Sequence, residues 1–165
     1  MKFITSLEPN QVFIFGTNCD GFHGGGAAGY AFMGDTRAYY NNKEFFNKAV
    51  RSSINDPIRI GKWCILGQAR GLMQGTEGMS YGIVTIIKPS QTGGKRSYPL
   101  EEIKKEIVEL FKFAENRPEL EFLASEIGSV LAGWSKAEML SVWHDAENEF
   151  GHKPSNIIYP ENFYE

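Results

Sequence analysis

The sequence has few cysteines and histidines and no long apolar run. Among its 165 residues are two cysteines, Cys19 and Cys64, and three histidines, and these show no spacing typical of metal ligands. We therefore expect no metal and no cofactor, and we expect reduced cysteines in a cytoplasmic protein without a leader peptide. Because no apolar run approaches the roughly 20 residues of a membrane span, we expect no membrane contact.

Neither positive nor negative side chains are concentrated in any one stretch of the chain. Lysine and arginine number 17 against 20 aspartates and glutamates, which gives a net charge of −3 without a basic run. This balance argues against a nucleic-acid partner, although backbone amides could still bind a diphosphate. The length predicts a single domain over residues 1–165. The sequence leaves the oligomeric state open.

Predicted strands and helices alternate along the chain. The apolar patterns predict strands at Val12–Phe15, Trp63–Leu66, Tyr81–Ile87, Leu120–Ala124 and Asn156–Tyr159, and helices at Gly25–Phe32, Leu100–Asn116 and from Ser135 to about Asn148. Five glycines between Gly67 and Gly82 predict a long loop there. The alternation indicates an α/β fold with a mostly parallel sheet.

The first glycine-rich stretch follows the first predicted strand. This first loop, Gly16 to Gly26, leads into small residues that favour a helix. A helix N-terminus with free backbone N–H groups suits an anionic or polyhydroxyl ligand. Asn18, Asp20 and His23 lie in the same loop and could orient water or move a proton. The alternative is a tight turn in which the glycines only allow close packing.

Two further glycine patterns indicate which ligand the chain could bind and where it would bind. Gly24, Gly26 and Gly29 satisfy G-x-G-x-x-G, but Gly24 lies eight positions after Gly16 at the strand end, so we do not favour a dinucleotide fold. A second loop, Gly128 to Gly133, also lies between a predicted strand and a predicted helix. Ligands of parallel α/β sheets bind outside the carboxyl ends of the strands, where both loops are expected.

The first loop carries a resemblance to a known family. The run N-C-D-G-F-H-G-G-G-A-A-G, Asn18 to Gly29, resembles the first loop of macrodomains, the ADP-ribose-binding family, in which an Asn stands six positions before a Gly-Gly-Gly-Val-Ala-Gly run. Ile127 to Ser135 is similar to the family's second loop. The likeness is strongest to small stand-alone macrodomain-like proteins of bacteria and phages, and it extends to Gly75–Thr85 and Asn156–Phe163.

The resemblance implies a three-layer α/β/α sandwich with a mixed, mostly parallel central sheet. It also implies that ADP-ribose or a derivative lies between the two loops, in the cytoplasm of a bacterium or of a phage's host. Asn18 would bind the distal ribose, His23 would stand near its C1″ atom, and Trp134 or Phe22 would cover a sugar or the base. The remaining ligand-binding residues implied in this way are Gly16, Thr17, Gly24, Gly25, Gly26 and Ala27 of the first loop, and Gly128, Ser129, Val130, Leu131, Ala132 and Gly133 of the second.

The chain departs from the family pattern in both loops. The usual Asn-Ala-Ala-Asn is here Phe-Gly-Thr-Asn, which keeps only Asn18. Val130 replaces the usual glycine of the second loop, and Ala132 replaces the usual aromatic residue. The family's adenine-contacting Asp has no clear counterpart, since Glu8 is the nearest acid.

Three functional hypotheses follow. The first is a hydrolase acting at C1″ of an ADP-ribose derivative, either an ADP-ribose 1″-phosphate phosphatase or an ADP-ribosyl hydrolase. Its catalytic residues would be Asn18, which orients water, and Asp20 or His23, one of which removes the proton. The second is a non-catalytic module that reads ADP-ribose or sequesters a related signalling nucleotide. The third is an interaction protein that retains only the fold.

Overall fold

The computed structural model describes residues 8–18, 64–65, 68–69, 71–74, 79–86, 96–128 and 132–160. In chain order, the strands and helices in these ranges are β1 (Gln11–Asn18), β2 (Cys64–Ile65), β3 (Gln68–Ala69), β4 (Gly71–Gln74), β5 (Met79–Ile86), α1 (Leu100–Glu115), β6 (Glu121–Ala124), α2 (Lys136–Phe150) and β7 (Ile157–Ile158). The predicted helix Gly25–Phe32 lies outside the described residues, as do Trp63 and Leu66 at the ends of a predicted strand.

The main sheet has five strands in the order β4-β5-β1-β6-β7. β1 is parallel to both of its neighbours, β5 and β6. β7 is parallel to β6, whereas β4 is antiparallel to β5. The predicted mixed, mostly parallel sheet is therefore confirmed. β2 and β3 form a separate antiparallel pair.

β1 occupies the centre of this sheet because it is apolar on both faces. Val12 and Ile14 are fully buried in the core that the sheet shares with α1 and α2. Phe13 and Phe15 alternate with them along the strand and are 5% and 0% exposed, so the opposite face of β1 is covered as well. Burial on both faces is typical of the middle layer of an α/β sandwich.

Both described helices pack on one face of the sheet. In α1 the buried side chains recur at helical spacing and include Ile103, Ile107 and Phe111. α2 contributes Trp143, whose ring centroid lies 6.2 Å from that of Phe111. α1 ends just before Pro118 and α2 ends at Gly151, a residue in the left-handed region that stops the helix. No helix in the described ranges is long and apolar enough to cross a membrane.

The prediction of a long loop from Gly67 to Gly82 is wrong. β3, β4 and the first part of β5 lie within it, and Gly71 pairs with Gly82 in the antiparallel ladder between β4 and β5. Glycine weakens a strand through entropy and missing side-chain contacts, but it keeps both backbone hydrogen-bonding groups. Pairing with β5 therefore decides the structure of β4, which is an edge strand in the main sheet.

Candidate functional site

The two glycine-rich loops begin at the same edge of the sheet. Ile14 of β1 is in register with Ala124, the last residue of the parallel strand β6. Ser125 then donates from its N–H and from its hydroxyl to the carbonyl oxygen of Ile14, at 3.3 and 2.5 Å. Because β1 continues to Asn18, the carboxyl end of β1 lies beside the segment that leads from β6 into the second loop.

Gly16 lies where three segments come together. The prediction that the first loop begins at Gly16 is wrong, because pairing with β5 extends the strand through Thr17 to Asn18. A β-carbon on Gly16 would lie 3.2 Å from Oγ1 of the buried Thr85 and 3.5 Å from Cβ of Ile127. Gly16 therefore lets β1, β5 and the segment after β6 approach closely.

The second loop begins at a glycine that no other residue could replace without strain. Gly128 is buried and has φ +79°, in the left-handed region. A β-carbon there would lie 2.8 Å from Cε of Met139 in α2. Gly133, near the other end of the loop, has φ +85°. Both glycines named from the sequence therefore have backbone conformations that L-residues rarely adopt.

A hydrogen bond closes the second loop at its base. The N–H of Trp134 donates to the carbonyl oxygen of Gly128 at 3.1 Å, so the chain leaves the loop next to the point where it enters. α2 begins immediately afterwards, with Ser135 as its N-cap. The Ser135 hydroxyl accepts from Glu138 N–H at 3.1 Å, and the Glu138 carboxylate accepts from Ser135 N–H at 3.0 Å. The capping box predicted from the sequence is confirmed.

The hydrogen bonds of this cap also fix the charge of Glu138. The backbone N–H of Ser135, followed by its hydroxyl, holds the pKa of the Glu138 carboxyl below its ordinary value. Arg96 adds a smaller electrostatic contribution in the same direction. At the start of the second loop Glu126 pairs with Lys136 at 3.6 Å. Arg96 and Lys136, the described cations beside the second loop, therefore both have carboxylate partners.

Arg96 is a contact residue that the sequence did not single out. Its backbone N–H donates to the carbonyl of Ala132 at 2.6 Å, and its Nε donates to the carbonyl of Gly133 at 3.1 Å. Its guanidinium carbon lies 4.8 Å from the centroid of the Trp134 ring, and Nη2 lies 3.4 Å from Oε1 of Glu138. Arg96 precedes α1 within a polar stretch, and no local pattern marks a contact 36 or 37 residues away.

Trp134 and Ala132 determine whether the second loop can offer an aromatic ring to cover a ligand. Trp134 is partly buried with one face of its ring taken by Arg96, and its indole N–H is buried without a hydrogen-bond partner among the described residues. Ala132, at the position of the family's usual aromatic residue, is 3% exposed. Its small side chain therefore has little surface to offer a sugar.

The structure brings together part of the predicted site. Gly16, Thr17 and Asn18 end β1 at the same edge of the sheet as the second loop, of which Gly128, Ala132, Gly133 and the adjoining Trp134 are described. The other predicted site residues lie outside the described residues: Asp20, Phe22, His23, Gly24, Gly25, Gly26, Ala27, Ser129, Val130 and Leu131. Within the described part no group of three or more His, Cys, Asp or Glu side chains is placed to hold a metal ion.

Comparison with known proteins gives a structural match. No family model matches the sequence, and no curated protein matches it. Among solved structures, the chain is similar to the macrodomain of Mycobacterium tuberculosis DarG, with a TM-score of 0.55 and 12% sequence identity, over 98% of this chain and 96% of that one. An identity of 12% supports a statement about the fold alone. Together with the sheet order and the position of the two loops, the match shows that this chain has a macrodomain-like fold.

Proposed function

We propose that the chain binds ADP-ribose or an ADP-ribose derivative between the first and second loops and hydrolyses it at C1″. The observation that carries the proposal is the parallel pairing of β1 with β6, which places Asn18 and the second loop at one edge of the sheet. The macrodomain-like fold supports the same ligand, since the macrodomain family is the one that the first loop resembles. Such an edge is the usual ligand site of parallel α/β sheets.

Backbone groups of the second loop would carry most of the diphosphate binding. Arg96 and Lys136 are engaged with Glu138 and Glu126, so free positive side chains do not dominate the described part of this edge. The N–H groups of Trp134, Ser135 and Glu138 are used in the base of the loop and in the helix cap. The diphosphate would therefore bind N–H groups of the loop itself, where the dipole of α2 adds positive potential. The positive φ angles of Gly128 and Gly133 allow the sharp turns that such a cradle needs.

Asn18, Asp20 and His23 are the residues that we propose for the chemistry. Asn18 would position the distal ribose and the attacking water, and Asp20 or His23 would accept the water's proton. The water oxygen would become bonded to C1″ while the bond from C1″ to the leaving oxygen breaks. The leaving group, a phosphate or the macromolecule freed of its ADP-ribosyl group, departs with the electron pair, and ADP-ribose is the other product.

A non-catalytic binding module is the second candidate. The buried Ala132 favours it, because this residue cannot cover the distal ribose as an aromatic residue would. Val130 favours it as well, because a β-branched residue has fewer backbone conformations available than the usual glycine. A module of this kind would hold ADP-ribose, or sequester a related nucleotide, without turnover.

Calorimetric titration with ADP-ribose, followed by a phosphate-release assay with ADP-ribose 1″-phosphate, separates these candidates. The hydrolase predicts binding together with phosphate release that is lost in Asn18→Ala and in the variant of whichever residue is the base, His23→Ala or Asp20→Asn. Asn116→Ala is the matched control, because Asn116 is exposed at the end of α1 and donates only to Lys112 among the described hydrogen bonds. Binding without turnover of this or an ADP-ribosylated substrate would indicate the binding module, and the absence of binding would contradict both candidates.

A further inference from the structure

We propose that Arg96 is a positioning residue that sets the backbone of the second loop for diphosphate binding. The proposal rests on the proposed function, since it concerns the same site. Arg96 is not part of either loop, yet it contacts three consecutive residues, Ala132 to Trp134, through its main chain, its Nε and the face of its guanidinium group.

The hydrogen bonds of Arg96 determine which way the loop peptides face. None of the described peptide bonds is cis, and in a trans peptide the carbonyl and the following N–H point in opposite directions. The Ala132 and Gly133 carbonyls both point at Arg96. The N–H groups of Gly133 and Trp134 therefore point away from Arg96.

The bond at the base of the loop agrees with this orientation. Trp134 N–H reaches the carbonyl of Gly128, on the side of the loop away from Arg96. Gly133 and Trp134 are thus held between Arg96 on one side and Gly128 on the other. Trp134 N–H is used in the bond to Gly128, so of the two N–H groups it is that of Gly133, whose direction Arg96 fixes, that would meet the anion. Arg96 would therefore act on the ligand through the loop backbone, without touching the diphosphate.

The backbone of Arg96 is itself strained. Its φ of 55° makes it the one non-glycine residue in the left-handed region among the described residues. A long side chain in this region costs free energy and persists where the surroundings over-determine it, which happens most often at functional sites. The contacts to Ala132, Gly133, Trp134 and Glu138 are the ones that hold Arg96 in this conformation.

Arg96→Gly separates the positioning role from general stability. Glycine adopts φ 55° without strain, so this substitution removes the side-chain contacts while relieving the backbone. We expect the melting temperature to change little, the dissociation constant for ADP-ribose to rise about tenfold, and the Trp134 amide to exchange faster with solvent. Arg96→Lys keeps the charge but lacks the planar fork that can stack on Trp134 and reach the Gly133 carbonyl together, so we expect a similar loss of affinity.

Arg117→Ala is the matched control. Arg117 is also exposed, stacks on an aromatic ring (Phe113, at 5.5 Å) and pairs with a carboxylate (Glu119, at 3.6 Å), but it lies before β6, at the opposite edge of the sheet. Its replacement should leave ADP-ribose affinity and Trp134 amide exchange unchanged.

The outcomes of these titrations distinguish the role of Arg96 from the proposed function. Unchanged affinity in Arg96→Gly, with binding intact in the wild type, would overturn the role of Arg96 and leave the proposed function standing. Full affinity in Arg96→Lys would also overturn it, because positive charge alone would then be sufficient. A wild-type protein that binds no ADP-ribose would contradict the proposed function, and the role of Arg96 in diphosphate binding with it, whatever the Trp134 amide exchange shows.

Discussion

Met139 of α2 lies against Gly128, so closely that a β-carbon on Gly128 would come within 2.8 Å of the Met139 Cε atom. The first residue of the second loop is therefore fixed both by its own φ of +79° and by the side chain packed against it. This contact couples the loop to the core, because Met139 is 4% exposed and belongs to the cluster shared by both helices and the sheet.

We expect Gly128→Ala to destabilise the protein and to weaken ADP-ribose binding. A left-handed alanine costs roughly 1–2 kcal/mol, and forcing a methyl group against Met139 adds about 1–3 kcal/mol of overpacking. Urea unfolding gives the change in the free energy of unfolding, and titration with ADP-ribose under native conditions gives the change in affinity.

Gly151→Ala is the control for Gly128→Ala. Gly151 has φ +107°, but a β-carbon there would meet nothing within 4 Å. Its substitution should cost only the backbone strain, roughly 1–2 kcal/mol, and should leave the affinity unchanged. Equal destabilisation by the two alanines would show that the contact with Met139 adds nothing to the cost.

Substitution of Asn156 would test the stability of the fold at a distance from the proposed site. Its Nδ2 lies 2.9–3.0 Å from the carbonyl oxygens of Ala114, Arg117 and Leu120, where α1 turns into β6. We expect Asn156→Ala to lower the free energy of unfolding by about 1–2 kcal/mol, because these carbonyls lose a part-buried donor. Asn116→Ala, which removes a single exposed hydrogen bond to Lys112, should cost less. A loss of ADP-ribose affinity in Asn156→Ala without unfolding would contradict the assignment of the site to the opposite edge.

The capping box at the start of α2 should make the free energy of unfolding depend on pH. The pKa of Glu138 is lowered in the folded protein, chiefly by the hydrogen bonds of Ser135, so folding favours the ionised carboxylate. Its contribution is fully present above the unfolded pKa, near 4.5, and is lost as the pH falls through the lower folded value. The difference in the free energy of unfolding between wild type and Glu138→Gln, measured by urea unfolding, should therefore be largest above the unfolded pKa and should shrink as the pH falls below it. A difference that stays constant as the pH falls would mean that the Glu138 charge plays no part.

The sequence predicted the parts of this fold that depend on local patterns. The apolar run from Val12 to Phe15 marked the central strand, because burial on both faces needs an unbroken apolar segment. The spacing of Ile103, Ile107 and Phe111 marked α1, and Ser135 with Glu138 marked the start of α2.

Features that depend on distant partners could not be predicted in the same way. β4 was missed because its glycines suggest a loop, whereas its structure comes from pairing with β5. Arg96 was missed because its partners lie 36 to 42 residues further along the chain, and nothing near Arg96 indicates them. The residue types of the first loop indicate the chemistry that it could perform. Which of Asp20 and His23 removes the proton depends on where the two side chains lie, and no local pattern specifies that.

The pH profile of turnover should distinguish His23 from Asp20 as the base. A general base acts only when deprotonated, so kcat/KM for ADP-ribose 1″-phosphate should rise with pH through the pKa of whichever residue serves. The pKa of an ordinary imidazole is about 6.5 and that of an ordinary aspartate is about 3.9. A rise near neutral pH that disappears in His23→Ala and persists at reduced rate in Asp20→Asn would assign the role to His23. A profile that is flat from pH about 5 to 8 in the wild type, with most of the activity lost in Asp20→Asn, would assign it to Asp20 instead. General-base catalysis contributes about 10²–10⁴-fold, so the variant of the true base should lose at least about a hundredfold in kcat while still binding ADP-ribose.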